Sequence, residues 1–222
     1  MQNKLIELDR TFSDHFKRLF EIQKELLDIY NGYSFDLDSD EITESIHDRM
    51  QAFWYFNVHN THLLLKGNIT PSASDFFTQT CMLFFKAYFE NRYKVKVCSE
   101  RNISKGKKII RPDISIWNEK ENNVIAVIEL KVNDGWKRSS MLDHLFERRR
   151  LIISEYPSAS FHVIAFWDFP NSPIRESSTN YIGLYEFCDK GEHKKTSDYV
   201  EHTMKSIEKA VESYYREAHF HS

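Results

Sequence analysis

Asp113, Glu129 and Lys131 stand close together in the stretch Arg111 to Lys131, RPDISIWNEKENNVIAVIELK. Two carboxylates and an amine are the groups that can hold a divalent cation and steer a water molecule beside it. Val124 to Leu130 is a nearly continuous apolar run interrupted by Glu129, the pattern of a strand buried on both faces. Glu129 and Lys131 are two residues apart on that strand, so they share a face, roughly 7 Å from each other. Ile125 and Val127 are expected on the same face. The run before it, Ile109 to Trp117, alternates: Ile110, Ile114 and Ile116 fall on one side, Arg111, Asp113 and Ser115 on the other. Asn118 to Asn123 reads as a hairpin loop. If Asn118 pairs with Val124 across a five-residue loop, Asp113 falls opposite Glu129, with Cβ atoms roughly 4.5–5.5 Å apart. Carboxylates at that separation repel unless something cationic lies between them, and a divalent metal with the Lys131 ammonium would supply it.

Pro112-Asp113 on one strand, with Glu129-Leu130-Lys131 closing the next, resembles the PD-(D/E)XK nuclease superfamily. The surrounding order of helix, strand, hairpin, helix and strand, from Ser72 to Phe169, is similar to that family's core. The resemblance implies an α/β fold: a restriction endonuclease-like core with a mixed central β-sheet flanked by helices. It implies a metal-dependent nuclease that hydrolyses phosphodiester bonds in DNA, an endonuclease sooner than an exonuclease. Asp113 and Glu129, with the carbonyl of Leu130, would then hold Mg²⁺, for which Mn²⁺ can substitute. Lys131 would orient or deprotonate the attacking water. The family's first core helix often adds an acid to the metal site, and Asp75 is the acid so placed here. Glu100 could assist from a neighbouring strand. His144 and Arg148, one helical turn apart, occupy the place where some branches carry a polar pair that steadies the site.

The elements that must position these residues follow from periodicity. Leu5, Leu8, Phe12, Leu19, Ile22, Leu26 and Ile29 recur every three or four residues, broken by His15, and predict a long helix with a narrow apolar seam, ended by Asn31-Gly32. A second helix is expected from Glu41 to Lys66, with Ile42, Ile46, Met50 and Phe53 on one side and Gly67 closing it. The two suggest a helical hairpin, residues 1–70, appended to a nuclease-like domain, residues 71–222. Pro71 and Ser72 or Ser74 start a third helix, apolar almost all round from Phe76 to Phe89. Tyr93 to Cys98 alternates as an amphipathic strand. Arg138 to Ser154 reads as a helix with Met141, Leu142, Leu145, Phe146, Ile152 and Ile153 inward. Phe161 to Phe169 is a buried strand, and Tyr181 to Phe187 an edge strand. Ser197 can cap a last helix in which Tyr199, Val200, Met204, Ile207, Val211 and Tyr214 repeat with helical period. The sheet is thus expected to hold about four or five strands.

Composition limits the alternatives. The 222 residues suffice for one full core, and 14% aromatic content with scarce Gly and Pro marks a globular chain. No stretch has the length of a membrane span, and the first residues lack a signal-peptide core, so a cytoplasmic protein with no membrane partner is expected. Cys81, Cys98 and Cys188 form no CxxC pair, which suits a reducing compartment. The net charge of −3 does not favour nucleic acid over the whole surface. Local basic groups, Lys105 to Lys108, Lys137-Arg138 and Arg148 to Arg150, are expected to rim the acidic centre, and DNA is the partner that such a rim would suit. His59 and His62 lack a third ligand nearby, and Ser139-Ser140 has no His and Asp placed for a triad. The N-terminal helices are expected to pack on their own domain or to serve as a partner-docking arm or a dimer interface, and a homodimer would give a cutter of both strands its two sites. The other reading is a catalytically inactive nuclease-fold protein acting as a nucleic-acid or protein binding module.

Overall fold

The computed structural model describes residues 2–106, 109–132, 140–168, 180–187 and 192–220. The chain divides into two compact units, Met1–Ser34 and Phe35–Ser222. The first is a single helix, α1 (Gln2–Gly32), which ends at the expected Asn31-Gly32. The second opens with α2 (Glu41–Val58), and this helix buries Ile42, Ile46 and Met50 against its own unit. The appended hairpin of residues 1–70 is therefore not how the contacts group the chain: α2 belongs with the sheet. Nor does α2 reach Lys66 as a regular helix. It passes into a π-helical turn, His59–Leu64, after which Lys66 takes a positive φ of 52°.

α3 (Ala73–Arg92) follows, its N-terminus at Ser72 as the sequence suggested. Phe77, Cys81, Phe84, Phe85, Tyr88 and Phe89 are all buried, which explains why its pattern is apolar nearly all round. Then come β1 (Lys96–Ser99), β2 (Ile114–Asn118) and β3 (Asn123–Lys131), α4 (Met141–Glu155), β4 (Ser160–Asp168), β5 (Tyr181–Phe187), β6 (His193–Lys195) and α5 (Val200–Phe220). The six strands form one mixed sheet in the order β1-β2-β3-β4-β5-β6. β2 runs antiparallel to its neighbours β1 and β3, β3, β4 and β5 run parallel, and β6 returns antiparallel. β5 is accordingly an inner strand, not the edge. The edge is β6, three exposed residues too short and too polar to announce themselves in the sequence.

β3 is buried along its length, as its apolar run requires. Its pairing with β2 contains a bulge. Asn118 pairs with Asn123 and Trp117 with Val124, but Ile116 then pairs with Ala126, leaving Ile125 as the extra residue. The bulge reassigns faces. Val124, not Ile125, joins Val127 in the cluster formed with Trp117, Leu145, Ile152 and Tyr156 beneath α4. α4 contributes a narrower apolar stripe than expected: Leu145 and Ile152 are buried, while Phe146 is exposed.

α2 and α5 are tied together at their N-termini. Glu201, fully buried, accepts hydrogen bonds from the backbone N–H of Ile42 (2.6 Å) and Thr43 (3.1 Å) and from the Thr43 hydroxyl (2.6 Å). Thr43 Oγ1 in turn accepts from Val200 N–H at 2.8 Å. A carboxylate at two helix N-termini is favourably placed, and its buried charge is met by donors.

Candidate functional site

The hairpin delivers its acids to one place. The pairs Ser115 with Val127 and Ile114 with Ile128, continued by one residue, set Asp113 against Glu129. The loop is one residue shorter than expected, but the bulge adds that residue back, so the register at the site is the one the sequence predicted. Beyond the last ladder pair, Asp113 Oδ2 accepts the backbone N–H of Leu130 at 2.6 Å and so fastens the end of β2 to β3.

Lys131 reaches both acids, with Nζ 3.2 Å from Glu129 Oε2 and 3.6 Å from Asp113 Oδ2. The burial of the three side chains differs steeply: Glu129 is 1% exposed, Lys131 18% and Asp113 31%. Burial pushes the Glu129 pKa upward. Lys131 pulls it back, Asp113 raises it again, and Arg148 lowers it.

Arg148 is the residue the sequence undervalued. Its Nε lies 3.1 Å from Glu129 Oε1 and its Nη1 donates to Oε2 at 3.2 Å. Its Nη2 donates to the carbonyl of Arg111, so one guanidinium spans α4, the start of the Pro-Asp strand and the buried acid. Its signal was there: it lies outside the apolar stripe of the helix that follows Glu-Leu-Lys. What the sequence could not supply is the two-turn offset from Met141 that aims it at Glu129. His144, one turn earlier, is exposed and lines a shallow groove with Ile109, Ile110, Glu147, Arg148 and Leu151.

Asp113, Leu130, Lys131 and Val132 form one side of an open pocket of about 600 Å³ at the C-terminal end of β3. Its other side is Phe53, Trp54, Asn57 and Val58 of α2, the segment Thr70 to Ser74, and Met141 of α4. A crevice at the carboxyl ends of parallel strands is where open α/β sheets bind ligands. The aromatic wall is held by rings behind it: Phe53 stacks on Phe76 with centroids 4.8 Å apart, and Trp54 on Trp167 at 5.3 Å. α2 is thus part of this pocket, a role unseen while it was assigned to an appended hairpin.

Asp75 is exposed in the first turn of α3 and is not among the residues lining this pocket, although Ser72, Ala73 and Ser74 are. Glu100 is exposed at the end of β1 with a positive φ of 49°, its backbone N–H donating to the Pro112 carbonyl. Neither acid is brought to Asp113 and Glu129 by any hydrogen bond or ion pair seen here. The expected basic rim is only partly described. Lys107, Lys108, Lys137 and Arg138 lie outside the described residues. Lys105 is bound to Glu155 and rests 4.2 Å from the Tyr156 ring centroid, at the end of α4 remote from Met141. Arg150 pairs with Glu147.

The donor set suits a hard divalent ion: two carboxylates, Asp113 and Glu129, with the backbone carbonyl of Leu130 next to the second. One buried atom is left over for it. Glu129 Oε1 accepts no hydrogen bond, because the Arg148 Nε–H beside it is at ion-pair distance but poorly aimed. Among the described residues no three His, Cys, Asp or Glu side chains converge, so the protein would offer two carboxylates and leave the remaining positions to water and substrate. No family model matches the chain, and neither a curated protein nor a solved structure matches it.

Proposed function

We propose that the chain is a metal-dependent nuclease that hydrolyses phosphodiester bonds in DNA, cutting internally. The observation that carries this reading is the meeting of Asp113, Glu129 and Lys131 beside an open pocket at the end of β3. The order α3, β1, β2, β3, α4, β4 around them supports a restriction endonuclease-like core. In this reading Asp113, Glu129 and the Leu130 carbonyl hold Mg²⁺ or Mn²⁺, which supplies Lewis-acid stabilisation of charge on the phosphate oxygens. Asp75 stays outside that set unless α3 brings its first turn inward.

The chain's own residues do the rest. Asp113, the most exposed of the three, faces the solvent side of the site and meets an incoming phosphate first. Lys131 donates to Glu129 and pairs with Asp113, which fixes its ammonium where charge builds as water adds to phosphorus and the ester P–O bond breaks. Lys131, and after it Arg148, oppose the burial that pushes the Glu129 pKa upward. A cutter of both strands needs two such sites, which a homodimer would provide.

A second reading has its own observation. Lys131 and Arg148 already balance the two acids, so the cluster is neutral without a metal. That favours a binding module that keeps the fold and not the chemistry. Cleavage of supercoiled and single-stranded DNA with Mg²⁺ or Mn²⁺, run beside Asp113→Asn and Lys131→Ala, separates the two. Asn retains an acceptor for the Leu130 N–H, so loss of cutting in Asp113→Asn reports lost charge and not a frayed hairpin. A parent that cuts while both variants do not supports the nuclease. A parent that leaves DNA intact, or variants that cut equally, gives the site to the second reading.

A further inference from the structure

Unit 1 is a helix of 31 residues, and along it the large apolar side chains of Leu5, Leu8, Leu19 and Ile29 are each exposed by more than half. On the order of 1,000 Å² of apolar side chain is open along it, above the roughly 300–600 Å² of the largest patch on a typical monomer. An isolated helix gains little from propensity alone, and most helical stability in proteins comes from packing an apolar face.

The spacing says what packs there. Leu5, Phe12, Leu19 and Leu26 are seven apart, and Leu8, His15, Ile22 and Ile29 interleave with them at alternating steps of three and four. This is the a/d seam of a left-handed coiled coil, sustained over four heptads. The rest of the heptad obeys the same frame. Position c is acidic throughout (Glu7, Asp14, Glu21, Asp28) and position f is basic at Arg10, Lys17 and Lys24. Asp14 pairs with Lys17 at 2.9 Å and Glu21 with Lys24 at 3.2 Å, on the side of the helix away from the seam. A helix that merely covered a globular core would need an apolar face but not a strict seven-residue charge repeat.

We propose that copies of this chain assemble through α1 as a parallel coiled coil. The seam is self-complementary, because identical helices in register set a against a and d against d. Lys4 at g and Asp9 at the following e then face each other between chains with opposite charge. Phe16 at e adjoins the seam, and Ile6, Phe20 and Leu27 at b carry apolar surface further round the helix. His15 is a single polar residue at d, the kind of interruption that sets register. The inference does not depend on the nuclease reading.

The test is the mass of the full chain in solution by light scattering after size exclusion. A mass of at least twice 26.5 kDa is expected, falling to one copy in Leu19→Glu/Ile22→Glu and unchanged in Lys17→Glu at the solvated f position. Leu19→Cys is expected to form a disulfide-linked species on mild oxidation, because parallel register brings the two a positions together. A monomeric parent overturns the proposal, since the seam is then covered by something other than this chain. So does an assembly that survives Leu19→Glu/Ile22→Glu, or one that Leu19→Cys cannot link.

Discussion

α1 and the end of the β2–β3 hairpin invert the usual order in opposite senses. In α1 the apolar side chains are outside and charges hold a regular stripe among them. At the hairpin an acid is 1% exposed, with two cations drawn in after it. Scattered apolar residues on a surface mean little; a long ordered strip of them, or a buried charge, calls for a reason. The comparison teaches where each kind of information lies. The helix repeats a seven-residue pattern, and its reason lies in whatever packs along that seam. The hairpin carries groups whose burial is costly and whose compensation is local, so its reason lies in what those groups do together.

The largest effect expected from breaking the hairpin cluster is on chemistry. Lys131→Ala is expected to cut DNA ~10²–10³-fold more slowly than the parent and also to lower the unfolding midpoint, much as Arg148→Met does, because each of the two cations opposes the burial of Glu129. Kinetics and thermal unfolding measured on the same preparation check this. A large fall in stability with unchanged kinetics would make Lys131 a structural ion.

Arg148→Met should weaken the fold by about 3 kcal/mol at neutral pH, the cost of breaking a buried pair. Its pH dependence is diagnostic. Glu129 already has a raised pKa in the folded state, and losing Arg148 raises it further. A carboxyl whose folded pKa is raised costs nothing below its unfolded pKa and progressively more as pH rises through the folded one. The gap between Arg148→Met and the parent is therefore expected to close toward pH 4 and to open toward pH 8, measured by urea unfolding across that range. A gap that stays constant would mean that Arg148 acts by packing alone.

Two buried histidines set the acid limit of the same unit. Burial lowers the pKa of His162 to about 4, and that of His47 to about 4 against the opposing pull of Asp48 and Asp40. Both are therefore neutral in the fold and would protonate near pH 6.5 once unfolded. Stability is full above that value and lost as pH falls from 6.5 toward 4, on the order of 2 kcal/mol for each ring. His162→Gln, which can keep a bond to Ser160 Oγ, should flatten the acid limb in urea unfolding. An unchanged limb would assign the loss to other groups.

The sequence showed the acids and not their setting. Alternation placed Asp113 opposite Glu129, and the pairing gives that register although the loop and a bulge at Ile125 each depart from the simple ladder. Two departures of one residue cancel, which a period-two pattern cannot reveal. Phe146 fits the apolar stripe of α4 by spacing, yet it is exposed while Leu145 beside it is buried. Ile42, Ile46, Met50 and Phe53 give α2 an apolar side, but spacing alone does not say what that side packs against. Only the burial of Ile42, Ile46 and Met50, and the grip of Glu201 on its N-terminus, show which unit owns it. Long-range partners such as Glu201 with Ile42, or Arg148 with Glu129, leave no local trace.

The smallest expected effect is the one that would break the comparison most cleanly. All four Trp residues lie after Ser34, so Trp fluorescence reports unfolding of the second unit alone. Leu19→Glu places a charge in the middle of the α1 seam. If that seam is an interface between chains and not a piece of the core, the Trp-detected unfolding free energy in dilute solution should move by no more than about 0.5 kcal/mol, the ordinary range for a surface change. A loss of several kcal/mol would mean that Leu19 is a core residue of the folded chain, buried as Phe84 is buried. In that event the contrast between an outward helix and an inward charge cluster would fail. The heptad would then be read as a helix facing its own sheet.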